Sequence, residues 1–328
     1  MSELRFNPFL NDWVMIEANR QQRPNMPVDW CPFCPGSGKV PADYDVYHYD
    51  NDFPVLRRQW SDISPADDFY LNKSTYGKCE VILYHPDHHM TLPRLPVSHI
   101  RKLVDLWCSR NSDLAADENI KYIYIFENRG KEAGVTMPHP HGQLYAFGWI
   151  PKLIQTELDA SRDYYRRHSE CLMCDVLRKE MADGSRIVYE NESFVCFVPY
   201  FTAWPFGTYV VPKKHTGNLT GLDGRQRDDL AGMLKTLVGA YDALYDELFP
   251  YMMAIHQSPV NSPDADEFYH MHIEFYPPLR ARQVQYFRAS CETGAGVYCN
   301  VTLPEEKAGE LRAAAEKYLQ MEESRGSP

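Results

Sequence analysis

An α+β fold built twice, each half an antiparallel sheet with helices packed on it, is what the sequence predicts. Three observations carry that reading. Gly77-Lys-Cys-Glu-Val-Ile-Leu-Tyr-His-Pro-Asp-His88 and Gly207-Thr-Tyr-Val-Val-Pro-Lys-Lys-His215 each run from a glycine through a short β-prone stretch to a proline and a histidine. In both places a leucine, a helical stretch and an apolar strand follow. Then His139-Pro-His141-Gly-Gln143-Leu-Tyr145 stands against His270-Met-His272-Ile-Glu274-Phe-Tyr276, with one offset at His, His, Gln/Glu and Tyr. Matched elements in the same order mark an internal duplication rather than chance likeness among short strands.

Taken in order, Asn51-Asp-Phe-Pro and Asn191-Glu-Ser-Phe read as the same early hairpin strand of the two halves. Ser98 is placed to cap a helix with Ile100, Leu103, Val104 and Trp107 on its inner face, followed by an apolar strand over residues 122–126. In the second half Asp223 is a natural N-cap, because its side chain can accept from a free first-turn N–H. After it Leu230, Met233, Leu234, Leu237, Val238, Tyr241, Leu244, Tyr245 and Leu248 recur at amphipathic helical spacing, and a strand over 251–255 follows. A polar helical segment over 151–169 links the halves, which divide into 1–165 and 166–328. The last helix, 304–323, opens with Pro and acidic residues, as helix N-termini favour, and the tail 324–328 is expected to fray.

The chain has 328 residues, 44% of them hydrophobic, enough for a real core. Its net charge of −11 disfavours nucleic-acid backbone as a partner, which needs a basic face. Apolar runs such as Val81-Ile82-Leu83-Tyr84 are too short to span a bilayer, and the first residues carry charges and Asn where an export signal needs an apolar core. Nine cysteines, an odd number in a long chain, suit a reducing cytoplasm better than a disulfide scaffold.

The segment His139-Pro140-His141-Gly142-Gln143 is the most informative. As a strand it alternates faces with a period of two, so His139, His141 and Gln143 share one face. Pro140 cannot donate to a ladder and belongs at a sheet edge or strand start. Gly142 leaves room for a ligand to approach. A neutral imidazole can attack phosphorus and carry the group as a phosphoramidate, splitting one transfer into two steps, and Gln143 can donate amide hydrogens to phosphoryl oxygens without titrating. The plainer alternative is a polar strand edge with solvated histidines.

With its flanks, this segment resembles the signature of the galactose-1-phosphate uridylyltransferase family, in the histidine-triad superfamily. The superfamily's hydrolases carry a third His where this chain has Gln143. Arg20-Gln-Gln-Arg23-Pro, Asn51-Asp52-Phe-Pro, Phe126-Glu-Asn128-Arg-Gly130, Ala203-Trp-Pro-Phe and Phe275-Tyr-Pro-Pro-Leu279 agree with it, over residues 6–292. The resemblance implies two histidine-triad-like halves and a double displacement. His141 would attack the α-phosphorus of UDP-glucose, and its uridylyl group would pass to galactose-1-phosphate. It implies nucleotide contacts at Arg20, Arg23, Asn51, Asp52, Asn128 and Gln143 and sugar-nucleotide contacts at Phe287 and Glu292, although Tyr286-Phe-Arg-Ala-Ser-Cys291 departs from the usual form. It also implies a homodimer with sites shared between subunits. Apart from the resemblance, the arginines read as surface cations that can supply forked donors to a diphosphate, and the three Asn/Asp positions as ordinary turn chemistry. A relative acting on another nucleotide sugar, such as an ADP-sugar phosphorylase, or a non-catalytic zinc module are the other readings.

Metal ligation is the last expectation. Cys31-Pro-Phe-Cys34 has zinc-knuckle spacing, and a closed structural site needs four N/S ligands. The resemblance supplies His88 and His139, making a structural zinc site on the strand that carries His141; His85 and His89 compete with His88, which the Pro-Asp-His alignment favours. It also implies a second metal, iron or zinc, at Glu157, His256, His272 and Glu274, the last standing where the best-known form has His, with His270 able to substitute for one of them. Cys171/Cys174 repeats the Cys-x-x-Cys spacing, but nothing near it in sequence completes a ligand set, and it is expected to be a helical or capping pair without metal, or a vestige of the repeat.

Overall fold

The structure, a computed structural model, describes residues 2–17, 30–60, 63, 67–135, 137–262 and 264–326. In chain order the elements are β1 (Ser2–Asn7), β2 (Asp12–Glu17), β3 (Tyr47–Asp50), β4 (Asn72–Ser74), β5 (Gly77–Leu83), α1 (Val97–Ala115), β6 (Tyr122–Arg129), β7 (His141–Phe147), α2 (Lys152–His168) and α3 (Leu172–Asp183). There follow β8 (Ile187–Glu190), β9 (Phe194–Phe197), β10 (Thr208–Pro212), α4 (Gly224–Tyr245), β11 (Tyr251–His256), α5 (Ala265–Phe268), β12 (His272–Tyr276), β13 (Leu279–Ala281), β14 (Val284–Gln285), α6 (Ser290–Ala295) and α7 (Pro304–Gly326). The fold is mixed α+β, as the sequence predicts.

Among the described residues nine strands form one antiparallel sheet in the order β3-β5-β7-β6-β11-β12-β10-β9-β8. That order is the duplication made visible. From its centre outward the first half reads β6, β7, β5, β3 and the second reads β11, β12, β10, β9. The halves meet where β6 pairs with β11, Ile125 opposite Ile255 and Arg129 opposite Tyr251. The two edges differ, because β8 extends the second half by one strand through its hairpin with β9. Two small sheets, β2-β1-β4 and β13-β14, lie apart from the main one.

One face of the main sheet is closed by α1 and α4, whose inner residues join Ile82, Ile125, Leu144, Val210 and Ile273 in one buried cluster. Trp107, Leu103 and Val104 from α1 and Leu230, Leu234 and Tyr241 from α4 are all essentially inaccessible, so the helical spacing read from the sequence is the packing spacing. Arg101 to Asp228 and Arg227 to Asp105 tie the two helices, and so the two halves, at their exposed rims. α7 lies on α4 at Gly239, where a Cβ would come within 2.5 Å of the Tyr318 ring.

Several local expectations change. Asp223 caps α4 as expected, inside a capping box with Gln226. Ser98, however, lies within α1, and Pro96 takes the N-cap position with its fixed extended geometry. Leu248 is not on the inner face of α4. Asp246 turns left-handed at φ 55 and ends the helix, leaving Leu248 51% exposed. Asn51 and Asn191 are not in strands. Each follows one and accepts from the N–H two residues on, Phe53 and Ser193, as in an Asx turn. β6 runs to Arg129, and α7 continues through the stretch from 324 to 326 expected to fray.

Candidate active site and metal centres

β7 is an interior strand, paired with β5 on one side and β6 on the other. Pro140 immediately precedes it, the strand start that its missing donor requires. Burial alternates along β7: His141, Gln143 and Tyr145 are half-buried, while Gly142, Leu144 and Ala146 face the helices and are buried. Gln143 sits opposite Phe126 on β6, and the same register carried two residues on sets Asn128 across from His141. Both line a cavity of about 400 Å³ that also includes Lys131, Met137 and Pro138.

The tautomer of His141 follows from its surroundings. Nδ1 lies 2.8 Å from the carbonyl oxygen of His139. A carbonyl only accepts, so Nδ1 carries the hydrogen and Nε2 carries the lone pair. Phe33, between Cys31 and Cys34, sets its ring 5.1 Å from that of His141 and 5.8 Å from that of His139.

Gly142 is glycine for a reason other than ligand access. Its missing side chain points into the core, where a Cβ would come within 2.5 Å of the Tyr84 hydroxyl. Tyr84 and Tyr251 each donate a hydroxyl hydrogen to Glu127, at 3.1 Å in both cases. Burial, the largest influence, pushes the Glu127 carboxyl up to about 7, against the pull of Arg129 and the two hydroxyls. Arg129 is itself paired with Asp242 at 2.7 and 2.8 Å. The sequence analysis missed this buried network, although two charges at alternate positions of an apolar strand, Glu127 and Arg129, were its visible sign.

Among the described residues three groups of side chains converge as metal ligands can, each with its ligand atoms within 4.8 Å of one another. The first is Cys31, Cys34, His88 and His139. His139 Nδ1 lies 3.7 Å from Cys31 Sγ and 3.6 Å from Cys34 Sγ, and His88 Nδ1 lies 3.6 Å from Cys34 Sγ. A tetrahedral zinc ion with Zn–S of about 2.3 Å and Zn–N of about 2.05 Å sets S and N ligands about 3.6 Å apart, so these donors fit it. His139 donates Nε2–H to the His85 carbonyl at 2.8 Å, which fixes Nδ1 as the ligating atom. His85 thus serves the set through its backbone. Burial, the largest influence, takes His139 down to about 4 and so keeps it neutral near pH 7, the form that ligates.

The second group is Glu157, His256 and His272, and Glu274 adjoins it. His256 Nδ1 is 3.0 Å from a Glu157 oxygen and 3.6 Å from Glu274, and His272 Nε2 is 3.0 Å from Glu274. Two imidazoles and two carboxylates at these separations suit iron or zinc. His272 donates from Nδ1 to the His270 carbonyl at 3.1 Å, repeating His141 on His139. Tyr269 donates to Glu157 at 2.7 Å.

Cys171 and Cys174 sit at a helix start as expected, Cys171 at the N-cap position of α3 and Cys174 within it, and the third group adds that His215 and His270 converge on them. The chain brings these histidines from β10's end and from just before β12, and no local spacing could announce that. Among the described residues His270 converges with these cysteines and not with Glu157, His256 and His272.

The remaining expected residues scatter. The Asn51 side chain accepts from Phe53 N–H, and Asp52 is paired with Lys39 at 2.7 Å. Phe287 is 70% exposed and Glu292 caps the N–H of Ala289. Both line a separate cavity of about 1030 Å³, which adjoins the first through Lys131, Glu132 and Leu248. Arg20 and Arg23 lie outside the described residues.

Comparison with known proteins places the chain among named relatives. Residues 1–151 match the galactose-1-phosphate uridyl transferase N-terminal domain and residues 157–323 its C-terminal domain. The chain is 39% identical over 318 residues to a galactose-1-phosphate uridylyltransferase of Thermotoga maritima, covering 95% of this chain and 98% of that one. With the rat enzyme of that name it shares 32% identity, over 95% of this chain and 88% of the other. Among solved structures, a uridylyltransferase superposes with a TM-score of 0.90 at 31% identity, over 97% of this chain and 99% of that one. An Arabidopsis thaliana ADP-glucose phosphorylase with bound ADP-glucose gives a TM-score of 0.74 at 25% identity, covering 95% and 99%.

Proposed function

The chain belongs to the galactose-1-phosphate uridylyltransferase family, and on that footing we propose that it transfers UMP from UDP-glucose to galactose-1-phosphate through a uridylyl group carried on His141. The observation that carries the choice of nucleophile is the hydrogen bond from His141 Nδ1–H to the His139 carbonyl. It leaves the Nε2 lone pair as the attacking electrons.

In the first step Nε2 bonds to the α-phosphorus, the bond from that phosphorus to the bridging oxygen breaks, and glucose-1-phosphate leaves with the electron pair. The imidazole becomes cationic, and the Nδ1–H···O=C bond stabilises that charge. In the second step a phosphate oxygen of galactose-1-phosphate attacks the same phosphorus and expels neutral His141, giving UDP-galactose. Gln143, on the same face of β7, would donate its amide hydrogens to the phosphoryl oxygens, and Asn128 would meet the nucleotide across the strand pair. Arg20, Arg23, Asn51 and Asp52 would complete the nucleotide contacts.

Cys31, Cys34, His88 and His139 would hold a zinc ion whose contribution is rigidity at the root of β7. Glu157, His256, His272 and Glu274 would hold the second metal, iron or zinc, also in a structural role. The homodimer with shared sites draws support from Phe287, exposed and outside the His141 cavity. Nine free cysteines suit a reducing cytoplasm.

The test is mass spectrometry after mixing with UDP-glucose or ADP-glucose in the absence of acceptor. A UMP adduct that maps to His141 and is discharged by galactose-1-phosphate is expected. An AMP adduct formed in its place would move the assignment to an adenylyl-transferring relative. No adduct, or one on another residue, would overturn it.

A further inference from the structure

We infer that Cys171, Cys174, His215 and His270 form a closed zinc site, distinct from both metal sets described above. Their ligand atoms all lie within 4.8 Å of one another. Cys174 Sγ is 3.5 Å from His215 Nδ1 and 3.4 Å from His270 Nδ1, close to the roughly 3.6 Å edge of a tetrahedral S₂N₂ zinc site. Two thiolates and two imidazoles fill four positions, leaving none for substrate, and that donor set selects zinc over hard cations.

Independent support comes from the duplication. Cys31/Cys34, His88 after β5 and His139 two residues before His141 correspond to Cys171/Cys174, His215 after β10 and His270 two residues before His272. Both quartets use Nδ1, and each has a histidine whose Nε2 is held by a backbone carbonyl: His139 by His85 at 2.8 Å, His215 by Asp266 at 2.7 Å. Such outer hydrogen bonds orient ligating imidazoles. His270 is 2% exposed and Cys171 6%, while Cys174 and His215 are half-buried. The two cysteines are free thiols, not a disulfide.

The site's work is mechanical. Cys171 occupies the N-cap position of α3 and Cys174 lies in its first turn, so an ion there would pin α3 to the end of β10 and the start of β12. The next residues along β12 belong to the Glu157–His256–His272 set, and α2, which carries Glu157, runs into α3 through residues 169–171. One strand end would thus be fixed by two ions through His270 and His272. This claim stands independently of the uridylyl chemistry.

The full-length protein, purified without chelator and dialysed against metal-free buffer, tests it. Zinc per chain is compared among wild type, Cys171→Ser/Cys174→Ser and Cys31→Ser/Cys34→Ser, with circular dichroism confirming folding. The Cys171/Cys174 variant should lose one zinc equivalent relative to wild type and still form the His141 adduct. The Cys31/Cys34 variant, loaded with Co²⁺, should keep thiolate-to-cobalt charge-transfer absorption. Zinc content equal to wild type in the folded Cys171/Cys174 variant would overturn the site. Should that variant not fold, alkylation of wild type decides. Cys171 and Cys174 should resist iodoacetamide until zinc is stripped with a chelator. Immediate alkylation, or a Cys171–Cys174 disulfide in the purified protein, would reject the site in favour of a redox pair.

Discussion

At His141 one backbone carbonyl settles which nitrogen carries the lone pair, and the same device at His272 turns Nε2 toward Glu274. The residue two positions on then decides what each half can do. Under the proposed chemistry the neutral amide of Gln143 would accommodate a phosphoryl group, whereas the carboxylate of Glu274 would repel one and attract a cation. Preorganised donors of this kind are worth roughly 2.7–4 kcal/mol in a transition state. Gln143→Ala should therefore lower kcat by about 10²–10³ while changing UDP-glucose affinity far less, and Gln143→Glu should suppress the adduct further; stopped-time adduct assays beside equilibrium binding read both. Equal losses in rate and affinity would mark Gln143 as a ground-state contact only. Gly142 makes a different claim on the same strand. A Cβ there meets the Tyr84 hydroxyl at 2.5 Å, so Gly142→Ala should destabilise by about 1–3 kcal/mol in urea unfolding, as overpacked cores do. Adding Tyr84→Phe, which removes the obstructing oxygen, should recover part of the loss.

The strand pair β6–β7 shows two faces with opposite electrostatic habits. The open face carries Asn128, His141 and Gln143. The helix-side face buries Glu127 under Tyr84 and Tyr251. Because burial raises Glu127 to about 7 from an ordinary 4.5, the unfolded chain releases this proton at lower pH than the folded chain. Between those values the native state binds more protons than the unfolded state, so this group makes stability fall as pH rises, by up to roughly 3 kcal/mol in all, with no further loss above about pH 7. Glu127→Gln should remove that component. The check is the difference in unfolding free energy between pH 5 and pH 8, which should shrink in the variant; an unchanged difference would mean that Glu127 is ionised throughout. The Cys31–Cys34 turn packs the approach to β7, since its Phe33 lies against both His139 and His141.

Across the whole molecule the links between the halves include β6 against β11, the α1–α4 ion pairs, the Arg129–Asp242 pair, and α2, which delivers Glu157 to His256 and Tyr269. The joint made by α2 is the one a metal would strengthen, since its ligands come from the connecting helix and the second half. Glu157→Ala should reduce the content of that metal and lower Tm, with adduct formation on His141 largely preserved at low temperature. Metal analysis, calorimetry and the adduct assay on one preparation test this together; an unchanged second ion in a Glu157/Glu274 double variant would show the ligand set to be wrong.

The sequence by itself determined what depends on near neighbours. The period-two face of His141 and Gln143, the apolar stripe of α4 with its Asp223 cap, and the linking helix all follow from strand and helix periodicity and from hydrogen bonds that close within a turn. The duplication was legible too, because order and offset along the chain survive in the residues themselves. Only the tertiary structure decided what depends on distant ones. Cys174 finds its histidines 41 and 96 residues away, Gly142 is constrained by Tyr84 just past the end of β5, and Phe287 and Glu292 line a cavity other than the one that holds His141. The mirrored strand order, too, is set when β6 and β11 bury their edges against each other. Pairing of this kind rewards contacts that no local pattern encodes, since the partners become neighbours only after the chain has folded.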